Sequence, residues 1–175
     1  MTASSGPDVS LESDPGAIDV SDTLAADPSE YRILVVDDDS TVLESCRSLL
    51  ETAGYRVECV RKGAEAIRLL TSRSFQIALV DRKMPEVDGF GVLEVARKES
   101  PETLVIMMTG YASAEGGVQA VQAGAWDYLP KPFTATQLSV LVGRATHRLS
   151  RIAETLAPGP DGGPCWWCAT ACAPT

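Results

Sequence analysis

Three consecutive aspartates, Asp37, Asp38 and Asp39, directly follow the apolar stretch Ile33–Val36. Neighbouring carboxylates repel one another, and burying them costs free energy unless a cation or hydrogen-bond donors compensate their charge. Carboxylate oxygens suit a hard divalent cation such as Mg²⁺, which keeps several waters and needs few protein ligands. The cluster therefore predicts a magnesium site.

Three other polar residues stand in the same position relative to an apolar stretch. Asp81, Thr109 and Lys131 each follow the end of a predicted strand. An aspartate there is most often a turn or helix-capping residue, but it is also a nucleophile that can form an acyl phosphate. A hydroxyl and an ammonium group can hold phosphoryl oxygens and offset their charge. The combination favours phosphoryl-transfer chemistry over a set of unrelated turns.

The elements that would position these residues alternate along the chain. Ile33–Val36, Ile77–Val80 and Leu104–Met108 are short continuous apolar runs, which is typical of strands covered on both faces. Tyr55–Val60 alternates and Trp126–Leu129 is short and mixed, so both are predicted as edge strands. Amphipathic stretches predict helices at about Val42–Ala53, Ala64–Leu70, Phe90–Lys98, Ala112–Ala123 and Thr134–Leu156.

This succession of strand–helix units predicts the α/β class, with a doubly wound, five-stranded parallel sheet and right-handed crossovers. Three apolar strands between two half-polar ones suit the flavodoxin-like order 2-1-3-4-5. The polar residues would then meet at the carboxyl edge of the sheet, where such folds bind ligands. The C-terminal helix is expected to extend beyond the end of the domain.

Composition divides the chain of 175 residues into a core and two flanking segments. Residues 1–30 hold seven acids and no base and are rich in Ser and Pro, so they are predicted to be a disordered acidic tail. The predicted domain covers residues 31–150, and a helix extension covers 151–157. Residues 158–175 are predicted to be a second disordered tail, rich in Gly, Pro, Cys and Trp.

The same composition disfavours several classes of function. No apolar run approaches the roughly 20 residues that a membrane-spanning helix needs, and the first ten residues lack the basic and apolar regions of a secretory signal. A net charge of -9 argues against a nucleic-acid-binding surface. The sequence thus predicts a cytoplasmic protein with no membrane and no nucleic-acid partner.

The chain from about Tyr31 to Ser150 resembles the receiver domains of two-component response regulators, and most closely those of the nitrogen-regulator type. The resemblance rests on four motifs in the family's order and spacing: ILVVDDD, ALVDRKMPEVDGFGVL, VIMMTGYAS and GAWDYLPKPF. It implies a phosphoacceptor and not an enzyme. Asp81 would receive a phosphoryl group from the phosphohistidine of a sensor histidine kinase or a phosphotransfer protein.

The same resemblance implies a role for each site residue. Lys131 would pair with the phosphoryl group and be joined to Pro132 by a cis peptide bond, and Gly110 would leave room beside the phosphate. Thr109 and Tyr128 would be the switch pair, with the hydroxyl moving toward the phosphate and the ring turning inward. The Mg²⁺ ligands would be Asp37, Asp38, Asp81 and the main-chain carbonyl of Lys83.

The aspartate cluster also allows a different interpretation. VVDDDSTV resembles the nucleophile motif of haloacid-dehalogenase-type phosphatases, in which Asp37 would be the nucleophile and Asp39 the acid. That family calls for a late acidic pair, which this chain lacks because Arg82 and Lys83 follow Asp81. In the receiver interpretation, Asp39 caps the following helix or approaches the metal through water.

Two alternatives for the output stay open. Regulators of the nitrogen-regulator type continue into an ATPase and a DNA-binding domain, and this sequence shows neither a P-loop nor a helix-turn-helix pattern. The chain is therefore either a stand-alone receiver that acts on an unknown protein partner or the remnant of a longer transcriptional regulator. Cys165, Cys168 and Cys172 have a metal-like spacing without a nearby fourth ligand, so they are expected to be reactive thiols of the disordered tail.

The last two helices carry further expectations. The fourth has a thin apolar stripe, chiefly Ala114, Val118 and Val121, and two internal glycines, so it is expected to open locally at low cost and to change on phosphorylation. The fifth repeats apolar residues at the a/d spacing of a coiled coil, which predicts a weak homodimer. This seam consists of Leu138, Val142, Ala145, Leu149, Ile152 and Leu156.

Overall fold

Five strands alternate with five helices in the computed structural model, which describes residues 27–110 and 114–156 and the side chains of 27–110 and 118–153. The strands are β1 (Arg32–Val36), β2 (Arg56–Val60), β3 (Ile77–Asp81), β4 (Leu104–Thr109) and β5 (Asp127–Pro130). The helices are α1 (Ser40–Thr52), α2 (Gly63–Ser72), α3 (Gly89–Glu99), α4 (Ala114–Gln122) and α5 (Ala135–Leu156).

The sheet has the predicted topology. All its strand pairs are parallel, and the order is β2-β1-β3-β4-β5, so this prediction is confirmed. Val36 of β1 pairs with Val80 of β3, and Thr109 of β4 pairs with Pro130 of β5. Because parallel strands with this register end together, the residues that follow them lie along one edge of the sheet.

The sheet separates two hydrophobic clusters, because successive strand residues point to opposite faces. Leu34 and Val80 face a cluster completed by α2, α3 and α4, whereas Ile33 and Leu79 face one completed by α1 and α5. Burial of such a side chain contributes about 1.5–3 kcal/mol, so both layers hold their helices on the sheet. The fully or nearly buried residues of α5 are Leu138, Leu141, Val142 and Ala145.

The first described element lies earlier in the chain than the sequence suggested. Pro28–Glu30, assigned above to the acidic tail, forms a 3-10 turn directly before β1. Asp27 caps this turn, since its Oδ1 accepts a hydrogen bond from the Ser29 N–H at 2.9 Å. Proline at the first position already has the φ angle that the turn needs. The Asp-Pro pair was a readable signal for this turn.

Helix α4 differs from its prediction. It is described from Ala114 to Gln122, and residues 111–113 lie outside the described part of the chain. Val118 and Val121, expected on the apolar stripe, are 52% and 49% exposed, and Ala120 faces the core instead. The face assignment of this helix was therefore wrong.

Residues 1–26 and 157–175 lie outside the described residues, and the predictions for the two tails and the tail cysteines fall there. Over the two described ranges, none of the helices combines the length and the apolar character that crossing a membrane requires.

Candidate functional site

Three carboxylates converge at the carboxyl ends of two adjacent strands. Asp37 directly follows β1, Asp81 ends β3, and both side chains are buried. Asp38 lies beside them and is exposed. One oxygen from each of the three lies within 4.8 Å of the other two. The structure therefore brings together the aspartates that the sequence singled out, with one side open to solvent.

Lys131 bridges the two buried carboxylates. Its Nζ donates a hydrogen bond to Asp37 Oδ2 and lies 3.1 Å from Asp81 Oδ1. The Lys131 backbone N–H donates to the Thr109 carbonyl at 2.7 Å, which ties the loop after β5 to the end of β4. The bond from Lys131 to Pro132 is cis, as the resemblance implied. A positive charge is thus held against both strand ends.

The electrostatics leave Asp81 incompletely compensated. Burial raises the pKa of Asp81 above its ordinary value, Lys131 acts in the opposite direction, and Asp37 and Asp38 add to the rise. For Lys131, burial alone would lower the pKa, but the Asp37 and Asp81 carboxylates outweigh it and the pKa is raised. The ammonium therefore keeps its proton, and the negative charge on Asp81 would gain from a further cation nearby.

Asp39, the third acid of the run, is not part of this cluster. Its Oδ1 accepts a hydrogen bond from the Thr41 N–H at 2.8 Å and caps α1, as the receiver interpretation predicted. The same hydrogen bond lowers the pKa of the Asp39 carboxyl group. Asp39 in turn donates its backbone N–H to Asp37 Oδ1 at 3.0 Å, so the start of α1 helps to orient the buried aspartate.

Two residues that support the site were missed in the sequence. A Cβ at Gly89 would stand 2.3 Å from the Asp81 carbonyl oxygen and 2.9 Å from the Arg82 Cα, so only glycine fits behind the candidate nucleophile. Arg61, from the loop after β2, donates to the Asp38 carbonyl from Nη2 at 3.0 Å and from Nε at 3.3 Å. The glycine of the motif VDGF was a signal for the first, but nothing local indicated the second.

The remaining predicted residues surround the cluster. Thr109 is 2% exposed at the end of β4. Tyr128 lies on the neighbouring strand β5, paired with Met107, and its side chain is exposed. Lys83 is exposed in the loop between β3 and α3.

The donor set fits a hard divalent cation. The cluster of described residues consists of carboxylates alone, without a thiol or an imidazole, and oxygen ligands are the ones that Mg²⁺ prefers. The exposure of Asp38 leaves a side on which such an ion would keep its waters. The residues therefore suit magnesium better than zinc.

Comparison with known proteins gives matches over the same part of the chain. The sequence model of a family described as "Response regulator receiver domain" matches residues 33–142. The chain is 37% identical over 114 residues to the regulatory protein AtoC of Escherichia coli, which covers 65% of this chain and 25% of AtoC. It is 36% identical over 133 residues to the response regulator MprA of a Mycobacterium species, which covers 76% of this chain and 54% of MprA.

Solved structures match as well. A CheY-like response regulator receiver domain protein from Methanospirillum hungatei aligns with a TM-score of 0.66 and 36% identity, covering 70% of this chain and 98% of that one. The beryllofluoride-activated NtrC4 receiver domain dimer aligns with a TM-score of 0.63 and 30% identity, covering 67% of this chain and 97% of that one. By contrast, the match spans only 25% of AtoC and 24% of the DNA-binding transcriptional regulator NtrC of Escherichia coli. The chain thus spans about a quarter of the length of these curated relatives.

Proposed function

Because the chain belongs to the response regulator receiver domain family of two-component systems, we propose that Asp81 accepts a phosphoryl group from the phosphohistidine of a sensor histidine kinase or a phosphotransfer protein. One observation carries the proposal: the Asp81 carboxylate lies against the Lys131 ammonium at 3.1 Å and beside the carboxylates of Asp37 and Asp38. A carboxylate nucleophile needs positive charge around it, because the incoming phosphoryl group brings further negative charge.

In the proposed reaction, a carboxylate oxygen of Asp81 attacks phosphorus. The phosphorus–nitrogen bond of the phosphohistidine breaks, and the imidazole nitrogen keeps its electron pair, which leaves an acyl phosphate on Asp81. Lys131 would hold one phosphoryl oxygen, since its raised pKa keeps it charged, and the Thr109 hydroxyl would hold another. A small donor such as acetyl phosphate would react in the same way. In this proposal the chain is itself the phosphoacceptor and acts on no separate substrate.

We propose Mg²⁺ as the cofactor of this step. Asp37, Asp38, Asp81 and the main-chain carbonyl of Lys83 would hold it, and the carboxylate-only cluster supports this assignment. When bound, the ion supplies positive charge that offsets the phosphoryl oxygens. The chain's own contribution is to hold Asp81 in place through Gly89 and Lys131.

The signal would leave through α4, β5 and α5. Tyr128 is 38% exposed, and we propose that its ring turns inward when the Thr109 hydroxyl moves toward the phosphate. Exposed apolar residues on a soluble domain often mark a surface that binds a partner, and this surface would serve a downstream protein. The large exposed apolar residues of the described part lie on these three elements: Val118, Val121, Tyr128, Val140 and Ile152.

A weak homodimer through α5 stays a prediction, but with a shorter seam. Leu138, Val142 and Ala145 are buried in the domain, and Leu149 packs against the same cluster. Ile152 is 44% exposed and is the seam residue available to a second copy among those described. The solved relative described as a beryllofluoride-activated dimer favours looking for association in the activated state.

We propose two alternatives for the downstream output. Since the curated relatives are longer and include a DNA-binding transcriptional regulator, the chain would be the receiver part of such a regulator. The alternative is a receiver that acts alone by binding a protein. In both cases we expect the receiver itself to contact no nucleic acid, because residues 31–150 hold 15 acids and 14 bases and so carry no excess of positive charge.

The phosphoacceptor assignment can be tested with acetyl phosphate and Mg²⁺, followed by borohydride reduction and peptide mapping. The modification should map to Asp81 and disappear in Asp81→Asn or after chelation of the metal. Asp39→Asn is the matched control and should still be modified, because Asp39 caps α1 outside the cluster. Modification at Asp37 would favour the phosphatase interpretation, and an unmodified chain under all conditions would refute the proposal.

A further inference from the structure

Helix α5 presents a basic face. It contains three arginines, one histidine and a single acid, Glu154, in its last turn, whereas α1, α2 and α3 each carry at least as many acids as bases. Arg144, His147, Arg148 and Arg151 are all exposed. Their spacing of three and four residues places them on one side of the helix, which is called the basic face below.

An open groove of about 590 Å³ adjoins the basic face. Val140 is 58% exposed there, and nothing outside the helix's own backbone lies within 4 Å of where a Cβ of Gly143 would stand. The Arg144 guanidinium lies 5.8 Å from the ring of Trp126. The groove therefore combines apolar surface with positive charge. Its lining is Trp126, Val140, Gly143, Arg144, His147 and Arg148.

The N-terminal part of the chain enters the fold on the same layer as this helix. Tyr31 Oη donates a hydrogen bond to the Thr146 carbonyl of α5 at 3.4 Å, whereas Pro28 lies beside Gly54, between α1 and β2. Twenty-six residues precede Asp27, and a chain of this length spans at most about 85 Å. The basic face lies well within that reach, since a domain of about 120 residues has a radius of gyration of only about 14 Å.

Residues 1–26 have the complementary chemistry. They carry five acids and no base, and apolar residues stand between the acids. The acids are Asp8, Glu12, Asp14, Asp19 and Asp22. The larger aliphatic residues are Val9, Leu11, Ile18, Val20 and Leu24. Negative charge and apolar side chains in the segment thus match positive charge and apolar surface in the groove.

We propose that residues 1–26 dock on the basic face and the adjoining groove of α5 in the same molecule. Individual exposed ion pairs are weak, but a short tether gives an effective concentration of about millimolar, so a weak contact suffices. Arg144 also pairs with Asp127 at 3.2 Å, so Arg148, which is exposed on the same face, supplies much of the positive charge that the segment would meet. A docked segment covers Trp126 and Val140, so a partner of this surface has to displace it. This docking does not require phosphorylation of Asp81.

The first test compares amide and indole NMR spectra of the full chain with those of a full chain whose segment is neutral. The neutral variant carries Asp8→Asn, Glu12→Gln, Asp14→Asn, Asp19→Asn and Asp22→Asn. We expect shift differences at residues 140–151 and at the Trp126 indole, and their loss when salt rises from about 0.01 M to about 1 M. The control Glu44→Gln, Glu51→Gln, exposed on α1, should leave these signals unchanged. Differences that are absent from α5 or insensitive to salt would overturn the proposal.

The second test adds a synthetic peptide of residues 1–26 to the full chain. The neutral-segment variant should bind it several-fold more tightly than the parent, whose own segment occupies the site. Arg148→Glu should abolish this binding, whereas Arg68→Glu, on an exposed side chain of α2, should not. Equal binding by parent and neutral variant would reject intramolecular docking. NMR shift differences that appear only as the protein concentration rises would assign the contact to a second copy of the chain, and they would also reject intramolecular docking.

Discussion

Replacing Lys131 by methionine should destabilise the protein through the two carboxylates that it leaves behind. The ammonium lies 3.1 Å from Asp81 Oδ1 and also contacts Asp37, whose side chain is only 1% exposed. At this distance and an effective dielectric constant of about 20, two unit charges attract by about 5 kcal/mol. Methionine keeps a similar length without the charge, so the substitution removes this attraction and leaves the repulsion between the carboxylates.

The net loss is smaller than the attraction. Lys131 is 20% exposed and must lose part of its hydration to reach the carboxylates, so we expect the free energy of unfolding to fall by about 3 kcal/mol. Urea denaturation of the full chain without divalent cations measures this. Lys98→Met is the matched control: that lysine is 81% exposed and 3.9 Å from Glu99, and its loss should change stability by less than about 0.5 kcal/mol.

Mg²⁺ separates the electrostatic explanation from a packing defect. An ion bound by the three carboxylates would restore the missing positive charge, and binding to the folded state alone stabilises by about 2.7 kcal/mol at a hundredfold excess over the dissociation constant. Mg²⁺ should therefore stabilise Lys131→Met more than the parent protein. Equal stability of Lys131→Met and Lys98→Met would refute the electrostatic explanation. So would a finding that Mg²⁺ changes the stability of neither Lys131→Met nor the parent protein.

Four other substitutions give expected outcomes of different sign. Gly89→Ala should lower the free energy of unfolding by more than about 2 kcal/mol and slow modification of Asp81, because the new Cβ meets the Asp81 carbonyl oxygen at 2.3 Å. Gly143→Ala, in open space on α5, should raise the free energy of unfolding by about 0.5–1 kcal/mol. Urea denaturation measures both changes. Thr103→Val should lower the free energy of unfolding by about 1–3 kcal/mol, also measured by urea denaturation. The Thr103 hydroxyl donates a hydrogen bond to the buried Phe75 carbonyl at 2.7 Å, and valine would leave that carbonyl without this donor. Burial, together with the Asp37 carboxylate, raises the pKa of the Cys46 thiol from 9.0 to about 12. The folded state therefore keeps this proton at a pH where the unfolded state has lost it. The free energy of unfolding should then fall as pH rises from about 9 to about 12. Cys46→Ala, measured by denaturation under reducing conditions, should flatten that fall, and an identical slope would contradict the assignment.

The aspartates and the lysine of the site could be predicted because their placement follows from the fold. In a parallel sheet, residues that follow the strands share one edge, so Asp37, Asp81 and Lys131 had to meet once the strands were recognised. Gly89 and Arg61 could not be predicted in the same way. The need for glycine arises from the Asp81 carbonyl pressing on α3, and Arg61 reaches the Asp38 carbonyl from another strand–helix unit.

Helix α4 shows where the sequence pattern was too weak to choose a face. Its nine residues offered two stripes, and the larger valines suggested the wrong one. Ala120 faces the core, and Val118 and Val121 point to solvent. Arg97 of α3 adds a tertiary contact, since its Nη1 donates to the Ala123 carbonyl at 2.8 Å and caps the end of α4. Contacts of this kind between distant helices leave no trace in local periodicity.

The division of the interior by the sheet has a genetic consequence. Phe75 and Leu93 belong to the cluster beneath α2, α3 and α4, and Leu50 and Leu138 belong to the one beneath α1 and α5. Side chains on opposite faces share no partner, so the effects of one substitution in each cluster should add. A second-site suppressor of a defect at Phe75 should therefore arise near Leu93 and not across the sheet. The carboxyl edge of the sheet belongs to both layers, so defects from either side converge on the same strand ends.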